Sequence, residues 1–189
     1  MTLSLIWDVL YWGWFASEIV TGVATRTKRS SGKVQDRGSL LLLWIVIVIS
    51  LTACGWISAV GSKNMFGGAH WLKVAAVIVM VIGLGIRWTA IVTLGRSFSS
   101  NVAILDAQKI MRTGIFRLVR HPSYLGLLLV FVAVGVHSRN WIAFALAVVP
   151  TTAAVLYRIH VEEAALRAAF GDEYVAYSRE TERLIPGVY

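Results

Sequence analysis

The sequence predicts an all-α integral membrane protein with five transmembrane helices. Three observations support this fold class: the composition, the long charge-free runs and the placement of the basic residues. Of the 189 residues, 57% are hydrophobic and only 15% are charged, whereas a soluble domain has about a quarter of its residues charged. The length is that of one compact domain, so we expect residues 1–189 to form a single membrane domain.

The second apolar run is the clearest predicted span, because residues 38–62 contain no charged side chain and roughly 20 apolar residues cross a bilayer. Asp8 and Glu18 interrupt the first run. No small-residue cleavage pattern follows that run, so we expect a retained span rather than a removed signal. The five predicted spans are residues 3–24, 39–60, 71–94, 122–137 and 141–157.

The last two predicted spans are separated by a turn centred on Arg139. Such a short connection predicts an antiparallel helical hairpin. Pro122 suits the first turn of the fourth helix, whereas Pro150 removes a backbone donor inside the fifth and should bend it.

The basic residues predict an N-out, C-in topology. Fourteen of the 18 Lys and Arg fall before the second span, between the third and fourth, or after the fifth, and such residues concentrate on the cytoplasmic side. We therefore expect residues 95–121 and 158–189 to be cytoplasmic. The membrane would be the plasma membrane of a prokaryote or the endoplasmic reticulum of a eukaryote. The positive charge is accounted for by the membrane surface, so we expect no nucleic-acid partner.

Two pairs in the tail have helical spacing that places them on a shared face. They are Arg158 with Glu162 and Glu163 with Arg167, after which Gly171 can end the helix and Asp172 can begin the next. Surface charge on an interfacial helix is one interpretation. The other is that a guanidinium and a carboxylate at the bilayer boundary hold a charged ligand against a membrane-borne one.

His121 and Tyr124 flank the start of the fourth predicted helix and can both donate hydrogen bonds to an anionic group. A capping or interfacial histidine is the alternative. Glu18 and Arg87 lie within spans, and we expect them to form an ion pair with each other. We expect no metal site, because no closely spaced set of ligands appears.

Several motifs in the last hundred residues resemble the isoprenylcysteine carboxyl methyltransferase family and its phospholipid methyltransferase relatives. They are Leu94-Gly95-Arg96-Ser97-Phe98-Ser99, Gly114-Ile115-Phe116-Arg117, Arg120-His121-Pro122-Ser123-Tyr124-Leu125-Gly126, Glu162-Glu163, and Phe170-Gly171-Asp172-Glu173-Tyr174 with Tyr177. Ile115-Phe116 replaces the Pro-Tyr that is more usual in the family.

The resemblance implies a membrane enzyme that uses S-adenosylmethionine and a lipophilic acceptor taken from the bilayer. It implies two catalytic residues, with Arg158 orienting an anionic acceptor and Glu162 near the cofactor's amino group or the reacting centre. It also implies that His121 and Tyr124 hold the cofactor's carboxylate. The cofactor-binding residues it implies are Val102, Ile104, His121, Tyr124, Leu125 and Glu162.

The acceptor stays open at this stage between a prenylcysteine-type carboxylate, which we favour, a phospholipid amine and a small thiol. A sulfonium methyl is already activated, so transfer needs mainly alignment in a dry site. An ionised carboxylate needs no general base, whereas an amine or a thiol must lose a proton. Two other classes remain: a small transporter with a polar path along Asp8, Glu18 and Arg87, and a lipid-binding scaffold.

Overall fold

The computed structural model describes residues 2–24, 32–34, 38–95, 103–105 and 110–187. Six α-helices account for most of them, and two three-residue strands, β1 and β2, pair between the helices. In chain order the elements are α1 (Leu3–Ala24), β1 (Gly32–Val34), α2 (Ser39–Val60), α3 (Trp71–Leu94), β2 (Ala103–Leu105), α4 (Pro122–Ser138), α5 (Trp141–Phe170) and α6 (Asp172–Glu180).

The helices follow the predicted spans closely. Among the described residues, α2, α3 and α5 are long and apolar enough to cross a membrane, and α4 is a shorter apolar helix. The protein is therefore a helical membrane protein. With 30 residues, α5 is about 45 Å long, so its C-terminal turns extend well beyond a hydrocarbon core of about 30 Å.

Helix α4 is the centre of the bundle. It packs against α3, α5 and α2, while α2 also packs against α5 and α1 packs against α3. Val130, Phe131 and Ala133 of α4 are completely buried. The first residues of α4 carry the His-Pro-Ser-Tyr motif, so the central helix fixes the position of that motif.

Two glycines, Gly83 and Gly126, allow the backbones of α3 and α4 to come into direct contact. A Cβ atom on Gly126 would lie 2.6 Å from the carbonyl oxygen of Gly83 and 2.7 Å from the backbone nitrogen of Arg87. A side chain at position 126 would therefore force the two helices apart.

The predicted hairpin between α4 and α5 is confirmed. Arg139 turns the chain in the left-handed conformation, with φ of 55°. Asn140 then caps α5, since its Oδ1 accepts hydrogen bonds from the backbone nitrogens of Ile142 at 2.9 Å and Ala143 at 3.0 Å. Its Nδ2 donates to the carbonyl oxygen of Ser62 at 2.6 Å, which ties the turn to the end of α2. Helix α5 continues through Pro150, and the bend expected there stays a prediction.

The short strands modify the all-α expectation. Strand β1 pairs antiparallel with β2, with Lys33 opposite Ile104, so the segment before α2 meets the segment after α3. The sequence offered no signal for this pairing, because three-residue strands are too short to show an alternating pattern.

The expected ion pair inside the bundle is confirmed. The Arg87 guanidinium binds both carboxylate oxygens of Glu18, through Nε and, at 2.5 Å, through Nη2. Its Nη1 donates to the carbonyl oxygen and the Oγ of Ser123, both at 3.0 Å. Trp14 Nε1 adds a 3.1 Å hydrogen bond to Glu18. The charges therefore satisfy each other and link α1, α3 and the first turn of α4.

Candidate active site

A cluster of three polar side chains lies where α5 leaves its charge-free part and passes the start of α4. The hydroxyl of Tyr124 donates to Glu162 Oε2 at 2.8 Å and accepts a hydrogen bond from Arg158 Nε at 3.0 Å. Arg158 and Glu162 are one helical turn apart, so Tyr124 bridges the pair that the sequence placed on one face. Arg158 Nη1 also donates to the Oγ of Ser39, at 2.8 Å, at the start of α2.

The exposure of these side chains decides what the cluster can do. Arg158 is only 2% exposed, whereas Tyr124 and Glu162 are half-buried. A buried guanidinium fixed by neighbouring hydroxyls is a rigid anion-binding group. A half-buried carboxylate beside it remains accessible to a cationic group.

His121 lies next to this cluster but contacts a second carboxylate. The residue is buried, and its Nε2 lies 3.4 Å from Glu163 Oε1, within ion-pair distance but without hydrogen-bond geometry. Its ring is 5.8 Å from that of Tyr124. The backbone φ of −123° and ψ of 54° fall between the extended region, which a following proline favours, and the helical region.

Glu163 is the most heavily contacted carboxylate among the described residues. Only 3% of it is exposed. Its Oε1 accepts from Arg120 Nε at 3.1 Å, and its Oε2 accepts from Arg183 Nε at 3.1 Å. The predicted pair with Arg167 is present at 3.4 Å, but it is the outermost of these contacts. Spacing along α5 does not predict the other contacts, because Arg120 and Arg183 lie outside the helix that carries Glu163.

The C-terminal tail binds alongside the segment that leads into α4. Val119 forms a parallel bridge with Glu182. The backbone nitrogens of Arg120 and His121 donate to the carbonyl oxygens of Glu182, at 2.8 Å, and Arg183, at 3.0 Å. The Arg120 guanidinium also donates to the carbonyl oxygens of Ser178, at 2.9 Å, and Thr181. The tail therefore forms one wall of the candidate site.

Helix α6 supports this wall with two buried tyrosines. Tyr177 donates to the carbonyl oxygen of Phe116 at 2.8 Å, whereas the Tyr174 hydroxyl is buried without a hydrogen-bond partner among the described residues. Burial raises the pKa of both phenols above the ordinary value of 10. Gly171, with φ of 52°, ends α5 as expected, and it also occupies the cap position of α6, so Asp172 is the first helical residue rather than the cap.

The structure brings Arg158, Tyr124 and Glu162 into direct contact, and His121 lies beside them. Leu125 follows Tyr124 on α4 and is half-buried against the core. Ile104 lies in β2, a strand that approaches α5, and Val102 lies outside the described residues. Within the described part of the chain, no group of three His, Cys, Asp or Glu side chains could hold a metal ion.

Similarity to known proteins falls on this part of the fold. Residues 76–168 match the model of the Isoprenylcysteine carboxyl methyltransferase (ICMT) family. Protein-S-isoprenylcysteine O-methyltransferase B of Arabidopsis thaliana is 32% identical over 120 residues, which cover 62% of this chain and 61% of that protein. Methanethiol S-methyltransferase 2 of Bradyrhizobium diazoefficiens is 27% identical over 186 residues, which cover 98% of this chain and 57% of that protein.

A solved structure shares the fold. The eukaryotic intramembrane Ras methyltransferase ICMT superposes with a TM-score of 0.62 at 25% identity, covering 76% of this chain and 52% of that one. The chain spans less than two thirds of the length of these relatives. The matched region contains all of α4, most of α3 and α5, and the Arg158–Tyr124–Glu162 cluster. The similarity to the isoprenylcysteine carboxyl methyltransferase family thus extends over residues 76–168, the region that contains the candidate site.

Proposed function

We propose that this protein is an integral-membrane methyltransferase that transfers a methyl group from S-adenosylmethionine to a lipophilic acceptor, a prenylcysteine-type carboxylate. The contact of Tyr124 with both Arg158 and Glu162, inside the region matched to the family, carries the proposal. This cluster lies at the membrane boundary, where a water-soluble donor and an apolar acceptor can meet.

Arg158 is the proposed anchor for the acceptor carboxylate. Its guanidinium is buried and oriented by Tyr124 and Ser39, and a planar guanidinium matches the geometry of a carboxylate. An ionised carboxylate attacks without a general base. The enzyme then has to align the acceptor oxygen and exclude water, both of which a fixed guanidinium in a buried site assists.

The residues present fit S-adenosylmethionine. When bound, it supplies an activated methyl group on a sulfonium centre. The Glu162 carboxylate is half-buried and suits a cationic amino group. His121 and Tyr124 are the proposed contacts of the cofactor's carboxylate. The Tyr124 hydroxyl has one proton, which it donates to Glu162 here, and the unbonded His121 Nε2 faces Glu163, so both donors would have to turn from these carboxylates toward the cofactor. Val102, Ile104 and Leu125 are the proposed apolar contacts.

The proposed membrane arrangement has five spans, including α1 and α4, with the N-terminus outside and the C-terminus cytoplasmic. Glu162, His121 and the tail then face the cytosol, where the cofactor is found. The acceptor approaches sideways from the bilayer. The mutual satisfaction of Glu18 and Arg87 argues against the transporter alternative, because it leaves neither group available to a permeating solute.

A small thiol is the second candidate acceptor. It is favoured by the alignment with a methanethiol S-methyltransferase along 98% of this chain, whereas the isoprenylcysteine relatives align over about 62% of it. A thiol has to lose its proton before attack, so its methylation should rise with pH through the thiol pKa. Methylation of a carboxylate should not.

The test is methyl transfer from radiolabelled S-adenosylmethionine by the purified protein in detergent. A farnesylated cysteine with a free carboxylate, phosphatidylethanolamine and an alkyl thiol are compared as acceptors, and base-labile label on the farnesylated cysteine is the expected result. Label on the thiol alone would replace the carboxylate with the second candidate. No label on any acceptor, together with no calorimetric binding of the cofactor, would refute the proposal.

Two variants separate the proposed roles. Glu162→Ala should weaken cofactor binding at least tenfold, which corresponds to about 1.4 kcal/mol. Arg158→Lys keeps the charge but not the fork geometry, so it should raise the KM for the carboxylate and leave cofactor binding within a few-fold. Glu173→Gln is the matched control, because Glu173 is an exposed carboxylate whose ion-pair partner among the described residues is Arg112.

A further inference from the structure

A pocket of about 270 Å³ lies at the end of the bundle opposite the candidate active site. It lies between the first turns of α1, the last turns of α2 and the end of α4. His137 marks its position on α4, and 13 residues, or about 20 Å, separate His137 from Tyr124. Nothing in the proposed methyl transfer uses this pocket.

Aromatic rings form the walls of the pocket. Trp7 stacks flat on His137, with ring centroids 3.9 Å apart and planes at 1°. Tyr11 follows Trp7 with a centroid distance of 6.3 Å, and Trp12 meets Tyr11 edge-on at 5.4 Å. The face of such a ring attracts a cation that is brought close to it.

Asp8 adds a negative charge to the same pocket. Its carboxylate forms no hydrogen bond or ion pair with another described residue, in contrast to Glu18 on the same helix, which is fully paired. Asp8 is exposed, so a ligand can reach it. In the proposed membrane arrangement α1 is a span, and ionisable groups within a span are costly and usually have a partner. A carboxylate beside aromatic rings therefore points to a cationic ligand.

The surroundings indicate which cation this is. Leu5, Val9 and Trp12 expose 48%, 61% and 63% of their surface along the same part of α1, which provides an apolar track that acyl chains can follow. At the rim, the Lys63 ammonium donates to the carbonyl oxygen of Ser58, a pocket residue. The pocket thus presents a carboxylate, a nearby ammonium and an apolar track, which complement the amine, phosphate and acyl chains of a phospholipid.

We propose that this pocket binds the head group of an amine-bearing phospholipid, with the lipid ammonium between Asp8 and the aromatic rings and the phosphate toward Lys63. The bound lipid is a structural ligand that joins α1 to α2 and α4. It is distinct from the methyl acceptor, because the pocket and the candidate active site lie at opposite ends of α4. The proposal is independent of the proposed enzymatic function.

The experiment measures lipid retention by the full chain, reconstituted with equal amounts of phosphatidylethanolamine and phosphatidylglycerol and repurified. Both lipids carry a phosphate, but only the first carries an ammonium. We expect the wild type to retain phosphatidylethanolamine about fivefold over phosphatidylglycerol, in keeping with the strength of partly exposed cation–π contacts and ion pairs. Asp8→Asn should abolish this preference and Asp8→Glu should keep it.

Two further variants complete the test. Asp172→Asn changes an exposed carboxylate at the other end of the bundle and should retain the wild-type preference. Trp12→Leu keeps an apolar side chain but removes a ring, and it should lower the preference about twofold. Equal retention of the two lipids by the wild type, or an unchanged preference in Asp8→Asn, would overturn the proposal.

Discussion

Replacing Glu163 by Gln tests whether a single carboxylate fastens the C-terminal tail over the candidate site. The substitution removes the charge that Arg120, Arg183 and Arg167 share. The side chains of Arg183 and Arg167 are 34% and 52% exposed, so solvent reduces each of their contributions to about 0–1 kcal/mol. The ion pair with Arg120 therefore determines how much stability is lost, because the side chains of Arg120 and Glu163 are only 8% and 4% exposed.

Removing one partner of a buried ion pair costs about 3–5 kcal/mol. Arg120 keeps hydrogen bonds to the carbonyl oxygens of Ser178 and Thr181 in the variant, which places the expected loss near the lower end, at about 3 kcal/mol. If the tail opens locally, its open population rises roughly a hundredfold, since about 1.4 kcal/mol corresponds to a factor of ten.

Limited trypsin digestion measures this opening, because Arg179 and Arg183 are cleavage sites within the tail. When closing is fast relative to cleavage, the rate follows the open population. Glu173→Gln is the control, since the ion pair of Glu173 with Arg112 is 3.6 Å long and exposed on both sides. Equal tail cleavage in the two variants would refute the role assigned to Glu163.

Three further substitutions test the packing and the electrostatics of the fold. Gly126→Ala should lower the free energy of unfolding by about 1–3 kcal/mol, because the new methyl group meets backbone atoms; Gly85→Ala, which meets nothing within 4 Å, should be neutral or stabilising, and thermal unfolding of both variants checks this. Asn140→Ala should cost about 1–2 kcal/mol through the lost helix cap, and a Tm equal to that of the wild type would contradict it. Burial raises the pKa of Tyr174 above 10, so the folded state holds a proton that the unfolded state releases, and stability should fall as the pH rises above about 10. Tyr174→Phe should reduce this alkaline loss by up to about 1.4 kcal/mol per pH unit and change stability little at pH 7; an unchanged alkaline slope would contradict the assignment.

The helices could be predicted because their signals are local. The bounds of α1, α2 and α3 coincide with the predicted spans, since a predominantly apolar run of the right length has few alternatives to a helix in a bilayer. The turn at Arg139 and the end of α5 at Gly171 were also readable, because short polar turns and glycines end helices.

The candidate site was only partly predictable. The i, i+4 spacing placed Arg158 and Glu162 on one face, but nothing local indicates that Tyr124, 34 residues earlier than Arg158, would bridge them. The bonds of Arg120 and Arg183 to Glu163 likewise depend on how the tail returns to α4. Such contacts follow from tertiary packing, which spacing along one helix does not encode.

The close crossing of Gly83 and Gly126 has an evolutionary consequence. A Cβ atom at either position would meet the backbone of the opposite helix. The two positions are therefore expected to vary together among homologous chains: where one carries a small residue, the other should carry a small residue too. A lineage that enlarged one of them would have to separate α3 from α4, which would carry Arg87 away from Ser123 and displace the neighbouring Tyr124. Gly126, the glycine in the His-Pro-Ser-Tyr-Leu-Gly motif, performs no chemistry itself. Selection for the chemistry of Tyr124 can nevertheless preserve it.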